Sequence, residues 1–188
     1  MTAVTTYAQA GPGRRAVRRF AATRVGDWLF ANVLRRLDGP VYRLTSGRHT
    51  AANLLSGLPV VHLTTTGART GRQRTVPVLG LPTPAGLAVI ASNFGRPRQP
   101  GWYHNLRAHP GATVTVRGAV SRVHATEATG EVRERIWRAA LEVFPGWASY
   151  ERRAAGREIT VFLLLPQDGA RPARRPVAAG VGRPVGVP

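Results

Sequence analysis

Lysine and cysteine are both missing from this chain, and acidic residues are missing from its middle. All 27 basic residues are arginine, set against 9 acids for a net charge of +18. Without lysine there can be no phosphate loop ending in Gly-Lys-Ser/Thr, no Schiff-base chemistry and no protein-kinase centre. Without cysteine there can be no disulfide framework, cysteine zinc site, iron-sulfur cluster or thiol nucleophile. Glycine fingerprints of the G-x-G-x-x-G and G-x-S-x-G kinds are absent too, which takes sequence support from dinucleotide-fold and hydrolase readings. No apolar run approaches the roughly 20 residues needed to cross a bilayer, and the arginines near the N-terminus interrupt any signal-peptide apolar region. The expectation is a cytoplasmic protein.

The missing acids have a sharper consequence. Between Gly39 and Thr126 lie ten arginines (Arg43, Arg48, Arg69, Arg72, Arg74, Arg96, Arg98, Arg107, Arg117 and Arg122) and no aspartate or glutamate, whereas residues 127–166 hold six of each sign. The positive charge is therefore concentrated in one part of the fold, where an anionic partner is expected. The densest stretch is a basic turn, Gly67-Ala68-Arg69-Thr70-Gly71-Arg72-Gln73-Arg74, flanked by apolar runs. Its glycines let the backbone approach a ligand, and the arginine forks suit phosphate or carboxylate. An ordinary hairpin tip whose arginines keep an edge soluble gives the same pattern.

At 188 residues the chain suits one domain with its own core. Residues 1–26 are basic and free of acid, residues 167–188 are rich in Pro, Gly and Arg, and both ends are expected to be disordered. The domain is expected over 27–166, starting with a helix capped by Asp27 and a short helix over 41–46. Runs at 58–65, 74–81, 86–91, 112–117, 119–126 and 159–165 read as strands, the last apolar enough to be buried on both faces. A two-turn helix over 101–109 should cap an end of the sheet, and a longer one from Thr129 ends at Phe144-Pro145-Gly146. Many short antiparallel strands with a few helices predict an α+β fold built on a small barrel.

Beyond the turn, Ile90-Ala91-Ser92-Asn93 brings hydroxyl and amide groups to the end of a strand, ten residues before Trp102. Polar groups beside an aromatic wall suit a planar heterocycle, although each segment alone also reads as a turn opening or as core. The five histidines form no metal set with an acid nearby, so no metal is expected, and His104 is the sole histidine candidate for catalysis.

Over 58–166 these segments together resemble the deazaflavin-dependent nitroreductases, split β-barrel oxidoreductases that use coenzyme F-420. The resemblance rests on Leu63-Thr64-Thr65-Thr66-Gly67, Thr70-Gly71 and Arg74; Val76-Pro77; Ala91-Ser92-Asn93; Pro100, Trp102-Tyr103 and Asn105-Leu106; Pro145-Gly146 with Tyr150; and Arg157-Glu158-Ile159. It implies a cofactor with a phosphate and a glutamate tail, bound by Arg69, Thr70, Arg74, Thr75, Val76, Pro77, Val78, Leu79, Ile90, Ala91, Ser92, Asn93, Trp102, Tyr103 and Asn105. It implies Phe144, Trp147 and Tyr150 on the substrate side, and hydride transfer to a quinone, enone or nitroaromatic, with Ser92 and Tyr150 as hydrogen-bond donors. The family usually has a second basic residue where Ala68 stands, so either a weaker hold on the tail or a contribution from Arg72 or Arg96 is expected. It also has tyrosines where Phe144 and Trp147 stand, which argues against nitroimidazole activation. The competing expectations are a nucleic-acid-binding basic barrel and a carrier of the coenzyme without turnover. The basic N-terminus offers a contact for an anionic membrane surface.

Overall fold

A computed structural model describes residues 6–23, 26, 57–154 and 156–167. The helices expected after Asp27 and over 41–46, and the tail beyond Gln167, lie outside the described residues. Six antiparallel strands, β1 (Val60–Thr66), β2 (Gln73–Thr83), β3 (Gly86–Ile90), β4 (Gly111–Val116), β5 (Ala119–Ala128) and β6 (Val161–Pro166), close into a barrel of order β1-β2-β3-β6-β5-β4. All six strands expected from the sequence are present, with ends shifted by one or two residues. Closure leaves the barrel without free edges where pairing is complete.

Alternation along the strands sorts side chains to two cores. Val61, Leu63, Val89, Val114, Val123, Phe162 and Leu164 fill the barrel, and Leu106 closes it from one end. On the outer face Leu81, Ala88, Ile90 and Val161 pack with Ile136, Trp137, Phe144, Trp147 and Tyr150. β3 and β6 contribute to both clusters, as an uninterrupted apolar run requires.

Among the described residues four α-helices flank the barrel. Helix α2 (Gly101–Ala108) places Leu106, Trp102 and Tyr103 against the inner cluster, and so plugs an end of the barrel as expected. Helix α3 (Gly130–Val143) turns Ile136, Trp137, Ala140 and Val143 inward and gives way at Phe144. The sequence does not announce α4 (Gly146–Arg153), which starts at once beyond the break and buries Trp147 and Tyr150.

The N-terminal segment departs from the disorder expected of it, because Pro12–Ala21 forms helix α1. Pro12 opens it, where a missing N–H costs nothing, and Ala21 joins the outer core. Arg18, 1% exposed, donates from Nη1 to Val143 O at 3.0 Å and from Nη2 to Gly57 O at 3.4 Å. Its guanidinium thus meets the C-terminal carbonyl end of α3, where a cation is favoured. Burial, and then the neighbouring Arg14 charge, push its pKa below the usual arginine value. Among the described residues no helix is long and apolar enough to cross a membrane.

Candidate functional site

The barrel opens beside β2. Strand β3 pairs with β2 only from Gly80 to Thr83, while β1 follows β2 from Val60 opposite Leu79 to Thr66 opposite Gln73. Gly80 donates its N–H to Pro59 O at 2.8 Å, which sets the alternation. Val78, Val76 and Arg74 exchange hydrogen bonds with β1, whereas Leu79, Pro77 and Thr75 turn their backbone groups the other way, where no strand partner lies among the described residues. Proline is tolerated at such an edge because the N–H it lacks has no ladder partner. The Thr64 and Thr75 hydroxyls meet across the strands at 2.8 Å. The five β2 residues expected at a ligand, Thr75 to Leu79, thus form one open edge.

The basic turn closes one end of this groove. Gly67 N–H donates to Arg72 O at 2.9 Å and Gly71 N–H to Gly67 O at 2.8 Å. Gly71 stands at φ 66°, a left-handed conformation that glycine adopts without penalty. A Cβ on Gly67 would lie 2.7 Å from Thr70 Oγ1 and 3.1 Å from Arg72 O, so a side chain there would have to displace the threonine hydroxyl and crowd the turn. Asn105 reaches across from α2: its Oδ1 accepts from Ala68 N–H at 3.0 Å and its Nδ2 donates to Thr65 Oγ1 at 2.9 Å. Asn105 and Thr65 are both buried. The Asn105 amide thus holds the turn to α2. Trp102 and Tyr103 stay half-buried, edge-on to Phe162, and line this end of the barrel.

The third wall is the loop between β3 and α2. It leaves the ladder just where the β2 edge becomes unpaired. Asn93, Phe94 and Gly95 stand in a row at φ 47°, 57° and 71°, a left-handed turn. Gly95 N–H donates to Ser92 O at 2.9 Å and Arg96 N–H to Asn93 O at 3.0 Å. For phenylalanine this conformation costs on the order of 1–3 kcal/mol, so surrounding structure has to enforce it. The Asn93 amide donates to Arg98 O at 2.8 Å, and the Phe94 ring packs edge-on to Tyr150. Ile90 and Ala91 are buried, and Ala91 N–H donates to Thr160 O. Their side chains pack in the core, while Ser92 remains half-buried at the rim.

Phe144, Trp147 and Tyr150 do come together, but inside the outer core. Their exposures are 3%, 2% and 5%, and their rings interlock at tilted and edge-on angles. The Tyr150 hydroxyl donates to Ala21 O of α1 at 3.2 Å. In this conformation α1 covers the cluster, and the phenol proton is engaged by backbone. Sequence spacing marks these aromatics as a group but cannot tell a ligand wall from a helix-end core.

Electrostatics single out the groove. Arg69, Arg72, Arg74, Arg96 and Arg98 are exposed and form no ion pair among the described residues. Ion pairs among the described residues join Arg107 to Glu127 and Arg133 to Glu134 and Glu158. Among the described residues no group of three His, Asp or Glu is placed to hold a metal ion. An elongated ligand with several negative charges and a planar head fits this donor set. Exposed guanidinium groups meet the charges, the open β2 edge offers the N–H groups of Thr75 and Leu79, and Trp102 supplies an aromatic wall.

The model for the F-420H(2)-dependent quinone reductase family matches residues 34–166. The chain belongs to this family. An F-420H(2)-dependent quinone reductase of Mycobacterium tuberculosis strain H37Rv is 37% identical over 95 residues, spanning 49% of this chain and 63% of the relative. The chain thus covers somewhat less than two thirds of that reductase. Among solved structures, the F-420-H2 dependent reductase FDR-A superposes with a TM-score of 0.52 at 37% identity, covering 56% of this chain and 93% of the other. A second, described as a domain-swapped dimer, gives 0.54 at 34% identity over 74% of this chain and 98% of the other. The split-barrel fold of this reductase family is therefore the fold of this chain.

Proposed function

We propose that this quinone reductase family member binds reduced coenzyme F-420 in the groove between the β2 edge, the basic turn and the 91–100 loop, and passes a hydride to a quinone-like acceptor. The observation that carries this is the set of exposed, unpaired arginines beside an open strand edge, in a stretch of chain with no carboxylate. Arg69 and Arg74 hold the anionic tail. In register with Thr65, Arg74 lies at the barrel end that α2 plugs. A single exposed ion pair contributes only about 0–1 kcal/mol, but several converging on one multiply charged ligand reach micromolar affinity, about 8 kcal/mol. When bound, the coenzyme supplies the hydride donor. Thr75 to Leu79 and Trp102 fix the ring plane against the barrel, and Ser92 offers a hydroxyl at the rim. The protein's contribution is placement and exclusion of water.

Titration with oxidised and reduced F-420, with flavin mononucleotide as competitor, tests this directly. Micromolar binding of the deazaflavin and consumption of its reduced form on adding menadione are expected. Arg74→Ala should weaken binding about tenfold, or 1.4 kcal/mol, while the rate of the saturated enzyme stays near that of wild type. Indifference to the deazaflavin alongside tight binding of flavin or an oligonucleotide would overturn the proposal. A second reading, a carrier that holds the coenzyme without turning over, is favoured by the engaged Tyr150 hydroxyl and its buried neighbours. Binding without any acceptor reduction would select it.

The acceptor class suggests where the protein works. Helix α1 exposes Arg14, Arg15, Arg19 and Phe20, the mixture of cations and an aromatic that suits an anionic lipid surface holding quinones. Co-sedimentation with phosphatidylglycerol vesicles but not with phosphatidylcholine vesicles is the expected sign, and equal recovery with both would remove the membrane from the scheme.

A further inference from the structure

Arg157 sits four residues before the start of β6 and on none of the strands or helices, yet its guanidinium makes more hydrogen bonds than any of the exposed arginines of the groove. Nη2 donates to Ser92 O at 2.9 Å and to Arg96 O at 3.0 Å. Nε donates to Arg96 O at 3.2 Å. Nη1 donates to Gln99 Oε1 at 2.8 Å and to Ala91 O at 3.2 Å. One fork therefore grips both ends of the left-handed turn over Asn93, Phe94 and Gly95. Its own base is fixed as well: Arg157 N–H donates to Ala154 O, and the neighbouring Glu158 pairs with Arg133 of α3 at 3.1 Å. No carboxylate pairs with it among the described residues, and burial is the main cause pushing its pKa below the usual arginine value. A half-buried cation bonded to several carbonyl oxygens at once uses the planar five-donor geometry of arginine, which the compact ammonium of lysine does not supply.

We infer that Arg157 is a positioning residue that locks the 91–99 loop in its left-handed conformation, and thereby sets Ser92 and the Arg96 cation along the groove. The functional half of this rests on the cofactor groove proposed above; the conformational half does not. Left-handed backbone at a phenylalanine persists only where surrounding contacts enforce it, and the carbonyls that Arg157 grips, Ser92 O and Arg96 O, bracket that residue. A purely structural cation joining α4 to β6 would have no need to converge on this turn. Because the β2 edge opens where this loop departs, a loop that relaxes would change the width of the groove without disturbing the six-stranded closure.

Two readouts separate these roles. In the protein without cofactor, amide exchange at Gly95 and Arg96 reports the turn through their bonds to Ser92 O and Asn93 O, while amides of β1 and β4 report the barrel. For Arg157→Ala the loop amides should exchange at least tenfold faster with the barrel amides unchanged, and the F-420 dissociation constant should rise at least tenfold. Millimolar methylguanidinium should restore part of both effects. Arg157→Lys, which keeps the charge, should fall between wild type and Arg157→Ala, and it carries the test if the alanine variant does not fold. Unchanged loop exchange in the lysine variant, or faster loop exchange with cofactor affinity within twofold of wild type, would overturn the inference. Failure of wild-type protein to bind F-420 would instead strike the proposed function and, with it, the link to the groove, while loop exchange would still decide the clamp.

Discussion

Replacing Gly95 by alanine is expected to lower the unfolding temperature by roughly 6–12 °C, equivalent to about 3 kcal/mol at this chain length. Two effects add. The residue stands at φ 71°, where a side chain costs about 1–2 kcal/mol. A Cβ there would also lie 2.7 Å from Tyr150 O and 2.9 Å from Tyr150 Cα, both backbone atoms of α4 that cannot turn aside. The loop would have to lift off the helix, carrying Phe94 from its contact with the Tyr150 ring. Weakened binding of F-420 should accompany the lost stability, because the same loop borders the groove. Calorimetry on the variant is decisive: a melting temperature within about 2 °C of wild type would mean that the loop does not seat against α4.

Asn105→Ala carries the second large expected effect. Removing the amide leaves Ala68 N–H and the Thr65 hydroxyl without the partner each has now. Thr65 is 1% exposed, so water does not easily replace what is lost. At about 1–3 kcal/mol for a stranded buried group, and with water able to reach the exposed Ala68, the cost is roughly 1–3 kcal/mol. The basic turn would lose its tie to α2, and cofactor affinity should fall at least tenfold. Asn105→Asp separates geometry from charge. Its carboxylate can still accept from both Ala68 N–H and the Thr65 hydroxyl, so most of the stability should return. It also places a negative charge beside the arginines, so affinity for the anionic coenzyme should stay low and lose much of its salt dependence. If the aspartate variant bound as tightly as wild type, the turn would not be an anion site.

The pattern in these residues explains what was legible. Strands β1 to β6 could be read because short β-branched and aliphatic runs bounded by glycine, proline or asparagine are a local property of the chain. Helix α2 was legible because Pro110 has to end it. The turn at 67–72 announced itself through its glycines and arginines, and its acid-free surroundings are visible by counting. By contrast, α1 was missed because its burial depends on an arginine, Arg18, meeting carbonyls at Val143 and Gly57, which are distant in sequence. Composition alone marks such a segment as solvated.

The chain's own order of residues therefore determined the barrel, the placement of positive charge and the exclusion of thiol, lysine and phosphate-loop chemistry, since periodicity, turn residues and charge counts act locally or by sum. Only the tertiary structure decided what each polar group does. Asn105 and Tyr150 carry the same donors whether they face a ligand or a carbonyl, and Arg157 could equally have been one more solvated cation. Which partner each meets is set by elements packed from far along the chain: Asn105 lies 37 residues from Ala68, Tyr150 lies 129 from Ala21, and Arg157 lies 65 from Ser92. No local pattern encodes a meeting at such distances.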